Sequence, residues 1–162
     1  MKDTPTIDGA GDATTLRVGI VVSAYHETVT AALETGALEA LQHAGASPDH
    51  VVVIRVPGAF EIPFAARRAA ETGRFDAIIC LGCIIRGETP HFEYIASAVA
   101  HGIGTASQAT GVPISFGVLT TNTHDEAVAR ARSGRDNKGW EAAMAAVQLA
   151  NVVRDLTSRD AE

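Results

Sequence analysis

The residues Ile84-Ile85-Arg86-Gly87-Glu88-Thr89-Pro90-His91-Phe92 put the parts of an anion site next to a proton carrier. Thr89 is placed to cap a helix, and Pro90 is favoured at the first helical position. The free backbone N–H groups of such a helix start can hold an anion, phosphate above all. His91 would then lie in the first turn beside that anion, where an imidazole moves protons near neutral pH. The plain alternative is a capped helix start with a surface histidine. Glu88 opposes phosphate unless its side chain points away.

Three other segments carry candidate groups. In Ala24-Tyr25-His26-Glu27, Tyr25 can stack on a flat ligand and His26 can donate or accept a hydrogen bond. An edge tyrosine and a solvated histidine are the plain reading. In Pro57-Gly58-Ala59-Phe60-Glu61-Ile62-Pro63, Gly58 and Ala59 allow close approach to the backbone, and Phe60 offers an apolar wall. Glu61 either complements a helix dipole or accepts from ligand hydroxyls. The Thr120–Asp125 segment reads as a hydroxyl-rich loop or, preferably, as ordinary capping of a helix. Arg130, Arg132, Arg135 and Lys138 form a basic cluster in a chain with only one other lysine, Lys2. They answer a helix dipole, or supply a bidentate phosphate clamp.

These segments are punctuation between regular elements. Apolar runs at Leu16–Ser23, Val51–Val56, Ala77–Ile85 and, more weakly, Pro113–Leu119 read as strands. The first and third are nearly continuous, as in a parallel sheet buried on both faces. Helical patterns alternate with them. In Thr28–Ala44, Val29, Leu33, Ala37, Ala40, Leu41 and Ala44 share a stripe that stops near Gly45. Further helices are expected at Glu61–Thr72, ending at Gly73, at His91–Thr110, ending at Gly111, and at Asp125–Arg132 and Lys138–Leu156. The alternation predicts an α/β fold: a three-layer, flavodoxin-like arrangement with a four-stranded parallel sheet between helices. Such sheets bind ligands at the carboxyl ends of their strands, where the candidate groups fall.

The chain has 162 residues and a formal net charge of −6, so one domain without a basic footprint is expected. Nucleic acid is therefore not an expected partner. No apolar run approaches about 18 residues, so no membrane span is expected. Residues 1–15 read as a flexible polar arm without signal-peptide features, 16–157 as the single domain and 158–162 as a tail. Cys80 and Cys83 match C-x-x-C but lie inside an apolar strand run, facing opposite sides, so buried cysteines are expected rather than a redox or zinc pair. They are no disulfide framework, and the cytoplasm is the expected compartment. Gly102-Ile103-Gly104 lacks the third glycine of a dinucleotide fingerprint. Trp140 reads as a packing anchor.

Four segments then carry a resemblance: RVPGAFEIP (Arg55–Pro63), LGCIIRGETPHFEY (Leu81–Tyr94), FGVLTTNT (Phe116–Thr123) and NKGWEAA (Asn137–Ala143). Together they resemble the signature segments of the 6,7-dimethyl-8-ribityllumazine synthase family, over about Val18 to Leu156. The resemblance implies condensation of 5-amino-6-(D-ribitylamino)uracil with 3,4-dihydroxy-2-butanone 4-phosphate, the penultimate step of riboflavin synthesis. It implies release of phosphate and water, with no metal or organic cofactor. By motif position, Tyr25 would stack on the pyrimidine, with His26 beside it. Ala59, Phe60 and Glu61 would hold the ribityl chain, and backbone groups at Cys83, Ile84 and Ile85 would read the pyrimidine edge. Gly87, Glu88 and Thr89 would cradle phosphate through main-chain N–H groups, with Arg130 pairing with it and Lys138 assisting. His91 would transfer protons. Phe116 would close the pocket from a neighbouring subunit.

Two features bear on that resemblance. The usual Phe-Asn after the first strand is Tyr25-His26 here. The family forms homopentamers, in some members twelve of them in a 60-subunit icosahedral shell, and riboflavin synthase is a further implied partner. The short Ser133–Asn137 connection looks like that of shell-forming members. The competing readings are a paralogue that binds lumazine or flavin, or serves as a shell, and an unrelated FMN module. The latter would want a Gly/Ser/Thr-rich loop after the first strand, where Ala24–Glu27 has none.

Overall fold

The computed structural model describes residues 3–159. Its strands are β1 (Val18–Ser23), β2 (Val51–Val56), β3 (Ala77–Ile85) and β4 (Ile114–Thr121). Its helices are α1 (Glu27–His43), α2 (Ile62–Glu71), α3 (His91–Thr110), α4 (His124–Arg130) and α5 (Lys138–Arg159). Short 3-10 turns occupy Pro48–His50 and Ala59–Glu61. The sheet order is β2-β1-β3-β4, and every pairing is parallel. The register sets Val18 beside both Val51 and Ala77, and Ile78 beside Ile114.

The central strands explain the unbroken apolar runs. All of β1 and all of β3 except Ile85 are buried, because helices cover both faces. Side chains alternate between two cores. Val18, Ile20, Val22, Ile79, Leu81 and Cys83 face Leu33 and Leu41 of α1 and Ala143 and Val147 of α5. Val21, Ile78, Cys80 and Ile84 face Ile62 and Ala66 of α2 and Val99 and Ile103 of α3. Truncating a fully buried leucine such as Leu33 to alanine costs about 2–5 kcal/mol. Cys80 and Cys83 sit in opposite cores, as their spacing predicts.

The expected helix stops hold: Gly45, Gly73 and Gly111 have φ of 85°, 69° and 72°, which side chains rarely adopt. Other boundaries differ. Thr89 is not the cap of α3; Pro90 holds that position without a side-chain hydrogen bond, which leaves the Thr89 hydroxyl outside it. α4 begins a residue before the expected Asp125 and ends at Arg130 rather than Arg132. It is capped by Thr123, whose hydroxyl accepts from the Glu126 N–H at 3.1 Å. α5 continues past Leu156 to Arg159, so the expected tail begins within a helix, and residues 160–162 lie outside the described ones.

The arm also differs from expectation. Ala13 is fully buried, and its N–H donates to Ala44 O at 2.8 Å. The Asn151 side-chain amide donates to Ala10 O and Asp12 O at 2.7 and 2.8 Å. Arg154 donates to the Thr15 hydroxyl at 2.9 Å. A polar segment reads as solvated in sequence, but here its backbone acceptors are met by side chains of α5. Trp140 packs against the α1–α5 core as expected.

Asn137 fixes the turn into α5. It is buried, and its Oδ1 accepts from the Gly139 and Trp140 N–H groups at 2.7 and 3.1 Å. Its Nδ2 donates to Ala131 O at 2.9 Å and Ala32 O at 3.2 Å. One amide thus ties the end of α4, the start of α5 and the middle of α1. Gly36 leaves room for it: a Cβ there would collide with the Asn137 amide.

Candidate active site

From β1 the chain passes to β2 on one side and later to β3 on the other, so the winding reverses between β1 and β3. The carboxyl ends of strands splay apart at such a reversal and open a crevice. A cavity of about 530 Å³ lies there, within the size range of small-molecule sites.

Each wall is set by a strand end. Past β1, the Ala24 and Tyr25 N–H groups donate to Val56 O and Pro57 O at 2.8 and 3.0 Å, which extends the β1–β2 ladder to the rim. Tyr25 is exposed and meets His26 edge-on, with ring centroids 4.6 Å apart. His26 lies at φ 60°, the one described non-glycine residue with positive φ. It opens α1, and its carbonyl accepts from the Val29 and Thr30 N–H groups. Burial, helped by the nearby His124, pushes the His26 pKa below its ordinary value.

Past β2, the Ala59–Glu61 turn brings Ala59, Phe60 and Glu61 to the cavity. The Gly58 N–H donates to Glu61 Oε2 at 3.1 Å, which fixes the carboxylate at the rim. The last residues of β3, Cys83, Ile84 and Ile85, form the floor, and past the strand Gly87, Thr89 and His91 form the far wall. Glu88 is exposed and does not line the cavity, which removes the charge conflict. Burial pushes the Cys83 thiol up to about 11 and that of Cys80 further, so neither is a thiolate near neutral pH.

The cavity therefore gathers the expected residues of Tyr25–Glu61 and Cys83–His91, Glu88 excepted. Phe116, Arg130 and Lys138 are elsewhere. They line a second hollow, of about 420 Å³, between β4, the end of α4 and the start of α5. β4 is an edge strand, which leaves Phe116 exposed. Arg130 donates to Glu126 O at 3.0 Å, and Lys138 pairs with Glu141 at 2.9 Å. Arg86 was missed in the sequence reading and lines the first cavity with Phe92. A cation directly after a buried strand, at its carboxyl end, was the signal available.

The lining thus sets an exposed aromatic ring, a carboxylate fixed by a backbone N–H and an imidazole around one cavity. Comparison with known proteins gives the family. Residues 15–154 match the family model described as 6,7-dimethyl-8-ribityllumazine synthase. A relative from Syntrophus aciditrophicus (strain SB), named 6,7-dimethyl-8-ribityllumazine synthase, is 47% identical over 153 residues, 94% of this chain and 99% of its own length. With the fold, the cavity and a match over nearly all its length in agreement, this chain belongs to the 6,7-dimethyl-8-ribityllumazine synthase family.

Proposed function

We propose that the protein condenses 5-amino-6-(D-ribitylamino)uracil with 3,4-dihydroxy-2-butanone 4-phosphate. The products are 6,7-dimethyl-8-ribityllumazine, phosphate and water. The observation that carries this reading is the cavity at the β1/β3 reversal, which joins a stackable ring, a fixed carboxylate and a helix start bearing His91. Tyr25 stacks on the pyrimidine, with His26 beside it. Glu61, with Ala59 and Phe60, holds the ribityl chain. Backbone groups of Cys83, Ile84 and Ile85 read the ring edge. The amides of Gly87, Glu88 and Thr89 take the phosphate.

The amine attacks the ketone and water leaves to give an imine. Loss of a proton then expels phosphate, and the ribitylamino nitrogen closes the ring as a second water departs. Every step moves a proton, and His91 is the group placed to move it. Most of the acceleration comes from holding two substrates together, a source of up to about 7–11 kcal/mol.

The site is completed by a second copy. Phe116, Arg130 and Lys138 lie along the open edge of β4, in a hollow apart from the cavity of their own chain. From there they reach the cavity of a neighbour, where Phe116 closes over the pyrimidine and Arg130 and Lys138 meet the phosphate. Phe60, Phe64 and Tyr94 are 60%, 74% and 73% exposed, apolar surface suited to subunit contacts. A cyclic pentamer is the assembly we infer, with the short α4–α5 junction favouring shells of twelve pentamers. The buried free cysteines suit the reducing cytoplasm.

Incubation with both substrates, followed by lumazine fluorescence and phosphate release, tests the reaction. Equal amounts of the two products support it. A folded, assembled protein that forms neither product overturns it in favour of a binding or shell role.

A further inference from the structure

Arg86 is the first residue beyond β3, and its N–H donates to Thr121 O at 2.9 Å, carrying the β3–β4 ladder one step further. Its side chain then meets three partners. Nε donates to Asn122 Oδ1 at 3.0 Å, and Nη1 to Glu93 Oε1 at 3.5 Å. The guanidinium carbon lies 4.8 Å from the centroid of the Phe92 ring. Only a planar fork serves all three, because its edges donate while its face stacks. Asn122 is a firm anchor, since its own N–H donates to Glu126 Oε2 at 2.9 Å in the first turn of α4.

One guanidinium thus joins the exit of β4 to the first turn of α3. Between Arg86 and Phe92 run Gly87–His91, of which Gly87, Thr89 and His91 line the cavity. Nothing packs within 4 Å of where a Cβ of Gly87 would stand, so this loop is steadied by its ends rather than by cover. The same cation faces Glu93, a negative charge in the first turn of the helix whose N-terminus would take an anion.

We propose that Arg86 is a positioning residue for the phosphate-bearing substrate, holding the Gly87–His91 segment in its anion-binding shape and offsetting the charge of Glu93. The inference rests on reading the cavity as the synthase site. Proton transfer stays with His91.

The test compares Arg86→Gln, Arg86→Lys and Asn122→Ala with the wild type as assembled enzyme. Arg86→Gln should raise the KM of the phosphorylated ketone about tenfold and weaken inhibition by inorganic phosphate to match. The KM of the pyrimidine and the thermal midpoint should stay unchanged. Arg86→Lys should recover only part of the loss, and Asn122→Ala should add little to Arg86→Gln, because both cut one link. Should the glutamine variant fail to fold, the lysine variant carries the same comparison. An unchanged KM for the ketone, or equal losses for both substrates, overturns the inference while leaving the reaction standing. An inactive wild type overturns the reaction instead. Amide exchange at Gly87–His91 then decides: faster exchange in Arg86→Gln supports the positioning role, and unchanged exchange rejects it.

Discussion

His91 and Arg130 belong to different hollows of one chain: His91 at the carboxyl ends of β1 and β3, Arg130 against the outer edge of β4. Neither of these two hollows is lined by both residues. A second copy can bring both to one substrate, if its β4 edge meets the first chain's strand ends. The assembly is then part of the catalytic site and not merely a container for it.

Asn137 should prove a structural rather than a catalytic residue, although it stands next to Lys138. Asn137→Ala leaves the Ala131 carbonyl and two N–H groups at the start of α5 without their partner. A loss of about 2–4 kcal/mol is expected, measured by chemical denaturation. The KM values of whatever enzyme remains folded should change little.

The strained backbone at His26 should respond to asparagine, which tolerates positive φ better than histidine. His26→Asn should stabilise the fold by a few tenths of a kcal/mol to about 1 kcal/mol in thermal unfolding near pH 8. The pH dependence has a definite sign. The folded pKa of His26 is depressed, so the unfolded chain binds this proton more readily. Its contribution is present above the ordinary histidine pKa and is lost as pH falls from there through the folded pKa. His26→Asn should flatten that part of the profile, and an unchanged slope would assign it to other groups.

The two thiols should be inert. Neither Cys80 nor Cys83 should react with a thiol reagent at pH 7 until the protein is unfolded, when both should titrate. Cys83→Ser should retain turnover, since only backbone groups of Cys83 are assigned a role. Loss of activity with an intact fold would revive a chemical function for the C-x-x-C pair.

How far the sequence could be read follows from the packing. β1 and β3 are buried on both faces, so their apolar runs are continuous and their ends place Tyr25 and His91 without ambiguity. Helix stops were legible because Gly45, Gly73 and Gly111 take a backbone few other residues accept. The cap of α3 was misread because Pro90 takes the cap position that Thr89 suits by type. The docking of the arm depends on Asn151 and Arg154, 139–141 residues away in sequence, and no local pattern encodes such a contact. The separation of Arg130 from His91 is likewise a fact of strand order, invisible until β4 is placed at the edge.

Mixed assembly of His91→Ala and Arg130→Ala chains tests the shared site most directly. Alone, each variant should lose about a hundredfold in turnover, through proton transfer in one and phosphate stabilisation in the other. Refolded together in equal amounts, the two should regain about a quarter of wild-type activity, because that share of random interfaces joins an intact cavity to an intact β4 edge. Activity no greater than the mean of the two separate variants, in assemblies shown to be mixed, would contradict the account and place both residues in the site of a single chain.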